Sequence, residues 1–278
     1  MVEAIETGSV PVPGGSVYYE RTGTGAPLVL IHSGFTDRRL WDPQFTRYSA
    51  DYTVIRYDVR GHGRSPIGDA PHDDAKDLAA LLDALQVPKC FLLGNSKGAR
   101  IASAFAAATP ERVLGLVLVG GGPGDIDPTP EEEQSFLDTL PDREEKILAL
   151  AQAGRDDEAV SAILAAWAPA VDEPTRTYLR TVAKENLDAM LDLLTENAPD
   201  EEPPYNVADK LRHSAVPTLL VVGERDHPAV RMMLGRFAQQ LPRANFVVLP
   251  EADHTPNLSA EEAFDRVVLN FLDALPTE

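Results

Sequence analysis

Cys90-Phe91-Leu92-Leu93-Gly94-Asn95-Ser96-Lys97-Gly98 runs from a continuous apolar stretch into a serine bracketed by glycines, and residues 99–107 then show helical spacing. An apolar run of this length reads as a strand buried on both faces. The segment Gly94-Asn95-Ser96-Lys97-Gly98 fits the pattern G-x-S-x-G between strand and helix. Such a turn strains the serine backbone and exposes its hydroxyl, and the glycines let strand and helix approach without Cβ clashes. Ser96 is therefore the candidate nucleophile. An ordinary turn serine is the bland alternative, and the strand–turn–helix setting argues against it.

Outward from this segment, residues 16–20 alternate in the strand manner after a Pro13-Gly14-Gly15 turn, and residues 28–31, 52–57 and 113–119 repeat the buried-strand pattern. Residues 77–85 and 99–107 carry helical spacing between them. Strands alternating with helices predict an α/β fold with a mostly parallel central sheet flanked by helices. After Gly120-Gly121-Gly122-Pro123-Gly124 the pattern breaks, and from 128 to about 197 only helices with acidic starts are expected. Strand character returns at 216–222 and 245–249, and a closing helix spans 260–272. The division that follows is a core at 1–124, a helical lid at 125–204 and the rest of the core at 205–278. The acidic, proline-rich stretch 198–204 is the expected return hinge.

A hydroxyl becomes a competent nucleophile only when a base removes its proton. In a sheet carrying such an elbow the partners follow in the order serine, acid, histidine. Of six histidines, His254 lies in the loop Glu251-Ala252-Asp253-His254, after the last strand and before the last helix, and is the expected base. The acid should follow an intervening strand. Asp226, in Gly223-Glu224-Arg225-Asp226, does so, with Glu224 and Asp125 as rivals. A developing oxyanion needs preorganised donors. The amide of Lys97, in the first turn of the helix, is one. The other is expected from His32-Ser33-Gly34-Phe35, at Gly34 or, failing that, Phe35.

The run His32-Ser33-Gly34, then Trp41-Asp42-Pro43-Gln44, then Tyr57-Asp58-Val59-Arg60-Gly61-His62-Gly63-Arg64-Ser65, and the ending His254-Thr255-Pro256-Asn257-Leu258 resemble the α/β-hydrolase superfamily. Spacing and the Trp-Asp-Pro-Gln segment are most similar to the enol-lactone hydrolase and carboxylesterase group. The resemblance covers all but the lid and implies the α/β-hydrolase fold and a Ser96–Asp226–His254 triad. It fixes the substrate only loosely, because one fold hosts many activities. Ser33 stands where a glycine is usual, and Asp253 replaces the glycine common before the base. Asn95 is similar to the residue found in C–C bond hydrolases of ring-fission products, whose aromatic residue after the histidine is missing here. A serine nucleophile argues against the dehalogenase and epoxide-hydrolase branches. Residues 60–65 read as a structural turn, and His62 as a structural histidine.

The expected activity is hydrolysis of a carboxylic ester or lactone through an acyl-enzyme. The alternatives are C–C hydrolysis on the same triad, or a slow-turnover ligand receptor. Phe35, Trp167 and Lys97 are the candidate substrate-binding residues. Leu164, Tyr178 and Met190 share the lid's apolar spacing, which more often marks helix packing. Lys97 offers a positive charge to an acidic substrate, unless it is solvated or pairs with a carboxylate within 125–142.

With 278 residues, 44% of them hydrophobic, the chain can bury a sizeable core, and a formal charge of −19 repels nucleic acid and anionic membranes. That charge reads as solubility, with salt adaptation as the alternative. Cys90 is the single cysteine and reads as buried and inert. There is no signal-peptide pattern and no apolar run near the roughly 18 residues of a membrane span, so the expected location is cytoplasmic. No ligand spacing suggests a metal, and no glycine-rich loop a cofactor. The expected partner is a small-molecule substrate, with no nucleic acid or membrane, and a homodimer is possible.

Overall fold

A computed structural model of the protein describes residues 4–68, 71–138, 140–195, 201 and 203–277. Eight strands, β1 (Glu6–Val12), β2 (Gly15–Thr22), β3 (Ala26–Ile31), β4 (Tyr52–Tyr57), β5 (Cys90–Asn95), β6 (Val113–Val119), β7 (Thr218–Gly223) and β8 (Ala244–Leu249), form one sheet. Their order is β1-β2-β4-β3-β5-β6-β7-β8. The β1–β2 and β2–β4 pairs are antiparallel, and every later pair is parallel. The first strand, β1, escapes the sequence reading. It is an edge strand with Pro11 in it and several exposed residues, so its pattern lacks the continuous apolar signal of the interior strands.

The helices of the core are α1 (Asp42–Tyr48), α2 (Asp74–Ala84) and α3 (Lys97–Ala108). An insertion between β6 and β7 holds α4 (Pro130–Leu137), α5 (Leu140–Gln152), α6 (Asp156–Trp167), α7 (Glu173–Glu185) and α8 (Leu187–Leu194). The core resumes with α9 (Val207–Arg212), α10 (Pro228–Ala238), α11 (Pro256–Ser259) and α12 (Glu261–Asp273).

Side chains alternate across the buried strands, and this period of two splits the core. Val29, Ile31, Leu92, Leu118 and Leu220 pack with Leu78 and Leu81 of α2, Ile101 and Phe105 of α3, and Leu234 and Phe237 of α10. Leu28, Leu30, Leu93, Val117 and Val221 face the other way, onto Phe45 and Tyr48 of α1 and Phe264, Val268 and Leu272 of α12. Each fully buried Leu or Phe contributes roughly 1.5–3 kcal/mol. Cys90 lies in the first cluster, where burial pushes its thiol up to about 12.

The insertion has its own apolar cluster, in which Ile147, Ile163, Leu164, Leu179 and Met190 meet Phe35 from the loop after β3. Thr129 caps α4 through the amide of Glu132, whose carboxylate returns to the Thr129 amide and also pairs with Arg236 of α10 at 2.8 Å. Asn186, between α7 and α8, accepts from the Gly63 amide at 2.8 Å and donates to Asp37 at 2.9 Å, fastening the insertion to the core loops. The expected hinge at 198–204 lies largely outside the described residues.

Candidate active site

Ser96 stands between β5 and α3 with φ 54° and ψ −110°, a conformation that side chains other than glycine rarely hold. Its amide donates to the Val119 carbonyl at 2.8 Å, which locks the turn to the neighbouring strand. A Cβ on Gly94 would come 2.2 Å from the Gly98 carbonyl oxygen, and one on Gly98 would come 2.2 Å from that of Ile31. Both glycines are therefore dictated by the approach of helix to sheet.

His254 follows β8, and its Nδ1 donates to Asp226, 2.9 Å from Oδ2 and 3.1 Å from Oδ1. Asp226 sits just past β7, where its Oδ1 also accepts from the His227 amide at 2.7 Å. That pair orients the imidazole and leaves Nε2 as its acceptor. Burial alone would lower the His254 pKa, but the Asp226 carboxylate outweighs it and holds the imidazole above its ordinary value. The rivals are engaged elsewhere. Asp125 accepts from the Val207 and Ala208 amides at the start of α9, and Glu224 is exposed and accepts from the Glu251 amide.

In the loop after β3, the Ser33 carbonyl accepts from His32 Nδ1 at 2.8 Å and the Thr36 amide at 3.3 Å. The Gly34 amide, across that peptide plane, is turned away from them. His62 Nε2 donates to the Gly34 carbonyl at 3.0 Å, and Val59 donates its amide to His32 Nε2 at 2.9 Å. Both imidazoles are struts, and burial lowers each to about 4.

Ser96 and His254 open onto one cavity of about 290 Å³, lined also by Gly34, Phe35, Glu144, Trp167, Met190, Leu193 and Leu194. No hydrogen bond joins Ser96 to His254 among the described residues; such contacts commonly tighten only with substrate in place. The Trp167 ring lies 4.9 Å from that of His254. Phe35, Trp167 and Met190 thus reach the cavity. Leu164 is buried inside the insertion, and Tyr178 is turned outward to Asp42. The sequence reading missed Glu144, Leu193 and Leu194, because nothing in a helical pattern marks which turn faces a cavity made by distant segments.

A model of the alpha/beta hydrolase family matches residues 28–267, which takes in the elbow, Asp226 and His254. The chain belongs to the α/β-hydrolase family. It is 32% identical, over 272 residues, to a 2-hydroxy-6-oxononadienedioate/2-hydroxy-6-oxononatrienedioate hydrolase of Burkholderia vietnamiensis, covering 92% of this chain and 90% of the relative. A pimeloyl-[acyl-carrier protein] methyl ester esterase of Aeromonas hydrophila is 27% identical, covering 92% and 99%. An enol-lactonase from Burkholderia xenovorans superimposes with a TM-score of 0.75 at 22% identity, over 96% of this chain and 100% of that one, which shows a shared fold.

The side chain of Lys97 departs from expectation in this hydrolase. It is buried, its ammonium lies 3.0 Å from Asp74 of α2, and it lines a neighbouring cavity of about 400 Å³ rather than the one holding Ser96. An α2 residue pairs with it because α2 and α3 pack side by side on the sheet. His72, Asp74 and Asp77 cluster closely enough to hold a metal ion, a grouping hidden in the sequence. Two cations already balance the two carboxylates, however: Lys97 at Asp74, and Arg60, which donates to both oxygens of Asp77 at 2.8 Å.

Burial alone would raise the Asp74 pKa, but the Lys97 ammonium and His72 hold it well below the usual carboxylate range. A depressed folded value means that the pair stabilises above the unfolded carboxylate pKa and loses this as pH falls through the folded one. Lys97→Met, which strands Asp74, is expected to cost about 3–5 kcal/mol by thermal denaturation at pH 7. Asp74→Asn added to it should recover part of the loss. Unchanged stability in Lys97→Met would refute the role of the pair.

Asp253, where relatives of this fold were expected to have glycine, accepts from the Thr255 amide and hydroxyl, from Ser259 Oγ, and from the Ala170 amide of the insertion at 2.7 Å. Asn95 donates to the His254 carbonyl at 2.9 Å. The loop carrying His254 is thus anchored from the elbow, from α11 and from the insertion.

Proposed function

We propose that this α/β hydrolase cleaves a carboxylic ester or lactone through an acyl-enzyme on Ser96. The observation that carries this reading is a strained, cavity-facing Ser96 beside a His254 already paired with Asp226. His254 Nε2 takes the proton of Ser96 Oγ as the oxygen attacks the carbonyl carbon. The amides of Gly34 and Lys97 receive the oxyanion, and His254 returns the proton to the leaving alkoxide. Water then gives its proton to His254 and its oxygen to the acyl carbon, which frees the acid and restores Ser96. The helices α4 to α8 act as a lid, with Trp167 and Met190 over the reacting carbonyl.

A second reading, C–C bond hydrolysis, is favoured by the 32% identity to the dioate hydrolase and by Asn95 before the nucleophile. Against it, a dioate needs cationic partners, and among the described residues no Lys or Arg side chain lines the cavity of Ser96. Identity to the methyl ester esterase adds weight to the ester reading.

The test is a neutral short-chain aryl ester followed from pH 5 to 9. A burst of about one alcohol per chain, then sustained turnover, is expected. The raised His254 pKa puts the midpoint of the rising acidic limb above the ordinary imidazole value of about 6.5, since only the neutral ring accepts the serine proton. His32 and His62, at about 4, contribute nothing to that limb. The same shift works oppositely on stability: the charged pair stabilises fully below the unfolded imidazole pKa, and this is lost as pH rises through the folded one. A flat profile with chemistry limiting the rate, or a single slow turnover, would defeat the reading.

A further inference from the structure

Glu144 is the one carboxylate, beyond the Asp226–His254 pair, that the described residues bring to the cavity of Ser96. It is half-buried on α5, and no cation, N–H or O–H among the described residues meets it. Apart from Gly34, Ser96 and His254, the rest of the wall is apolar or aromatic: Phe35, Trp167, Met190, Leu193 and Leu194. Burial raises its pKa, the direction expected for a carboxylate with no cation beside it. A partly desolvated carboxylate is stabilised by a positive charge, and aromatic rings add attraction for the same charge. A carboxylate ligand would meet repulsion there. The cations of the adjoining cavity are held away from it: Arg60 by Asp77, Lys97 by Asp74, and Arg64 by the hydroxyl and ring of Tyr18. The field of a chain with net charge −19 also draws cations toward any open cleft and slows the approach of anions.

Resting on the hydrolase reading above, we propose that the substrate carries a cationic amine, received by Glu144 together with the rings of Trp167 and Phe35. The acyl or alcohol portion bearing the amine would lie across the cavity, with the scissile carbonyl at Ser96. Glu144 takes no part in bond breaking and acts as a specificity residue. This reverses the expectation that Lys97 selects an acidic substrate.

The experiment compares three isosteric aryl esters, ending in a trimethylammonium, a tert-butyl and a carboxylate group, on the wild type and on Glu144→Gln. In the wild type, kcat/KM for the cationic ester is expected to exceed that for the neutral one by about tenfold, with the anionic ester lowest. Glu144→Gln should bring the cationic-to-neutral ratio close to one, and it should do so at 0.5 M salt as well, where long-range steering is screened. A ratio that Glu144→Gln leaves unchanged, or a wild type that prefers the anionic ester, overturns the proposal. Binding is measured separately, without turnover, by calorimetry of butyltrimethylammonium with Ser96→Ala. Saturable binding that weakens about tenfold in Ser96→Ala/Glu144→Gln supports the amine site even if no ester is cleaved. No binding, or binding indifferent to Glu144, overturns it. Failure of all three esters with the ammonium still bound would instead defeat the hydrolase reading alone.

Discussion

Ser96→Ala is expected to lower kcat/KM on a neutral aryl ester by about 10⁴–10⁶ and to abolish labelling by a fluorophosphonate. Removing Oγ removes the acyl acceptor itself, and the oxyanion donors and the cavity can retain only a small residual acceleration over water. Stability should stay within about 0.5 kcal/mol of the wild type. The hydroxyl faces the cavity without a hydrogen bond among the described residues, so its loss strands no buried partner. Alanine must hold the same strained backbone that serine holds, so the elbow is no worse off. The checks are a matched pair of progress curves and melting curves, with the label read by intact mass. A variant that keeps a tenth of the wild-type rate would remove Ser96 from the mechanism.

Asp226→Asn should cost about 10⁴ in kcat with little change in fold. The asparagine oxygen can still accept from the His227 amide, which turns its NH₂ toward Nδ1 of His254. An N–H donor there forces the tautomer in which Nδ1 accepts and Nε2 carries the proton, and such a ring cannot take the proton of Ser96. The pH profile should then lose the limb assigned to His254 within the accessible range. Asp125→Asn is the contrasting variant. It weakens a cap on two backbone amides at the start of α9 and should cost about 1 kcal/mol of stability while leaving kcat near the wild-type value. If Asp125→Asn cripples turnover and Asp226→Asn does not, the acid has been assigned to the wrong strand end.

The elbow was legible because it is local. Strand, turn and helix are contiguous, and each glycine answers to a clash within a short stretch of chain or with the adjacent strand. Asp226 and His254 were legible for a different reason: in a parallel sheet, every loop at the carboxyl ends of the strands lies on the same edge, so order along the chain predicts proximity. Preferring Asp226 to Asp125 rested on the shape of the turn after β7 and the deeper strand end; in the structure Asp226 lies 2.9 and 3.1 Å from His254, and Asp125 caps α9. Lys97 illustrates the limit. Its place in the first helical turn was readable, and with it the amide. The direction of its side chain depended on Asp74, which reaches it only because α2 lies against α3.

By itself, then, the sequence determined the alternation of buried strands and helices, the place of the helical insertion, and the order along the chain of the candidate nucleophile, acid and base. Those features rest on hydrophobic period, turn chemistry and chain order, all properties of short segments. Only the tertiary structure decided that His72, Asp74, Asp77, Arg60 and Lys97 share one buried, charge-balanced cluster. It alone decided that Asp253 holds the insertion through the Ala170 amide, and that Glu144 looks into the cavity of Ser96. These contacts join segments far apart in the chain, and which face of a helix meets which loop is set by the fit of whole elements, a quantity no single segment encodes.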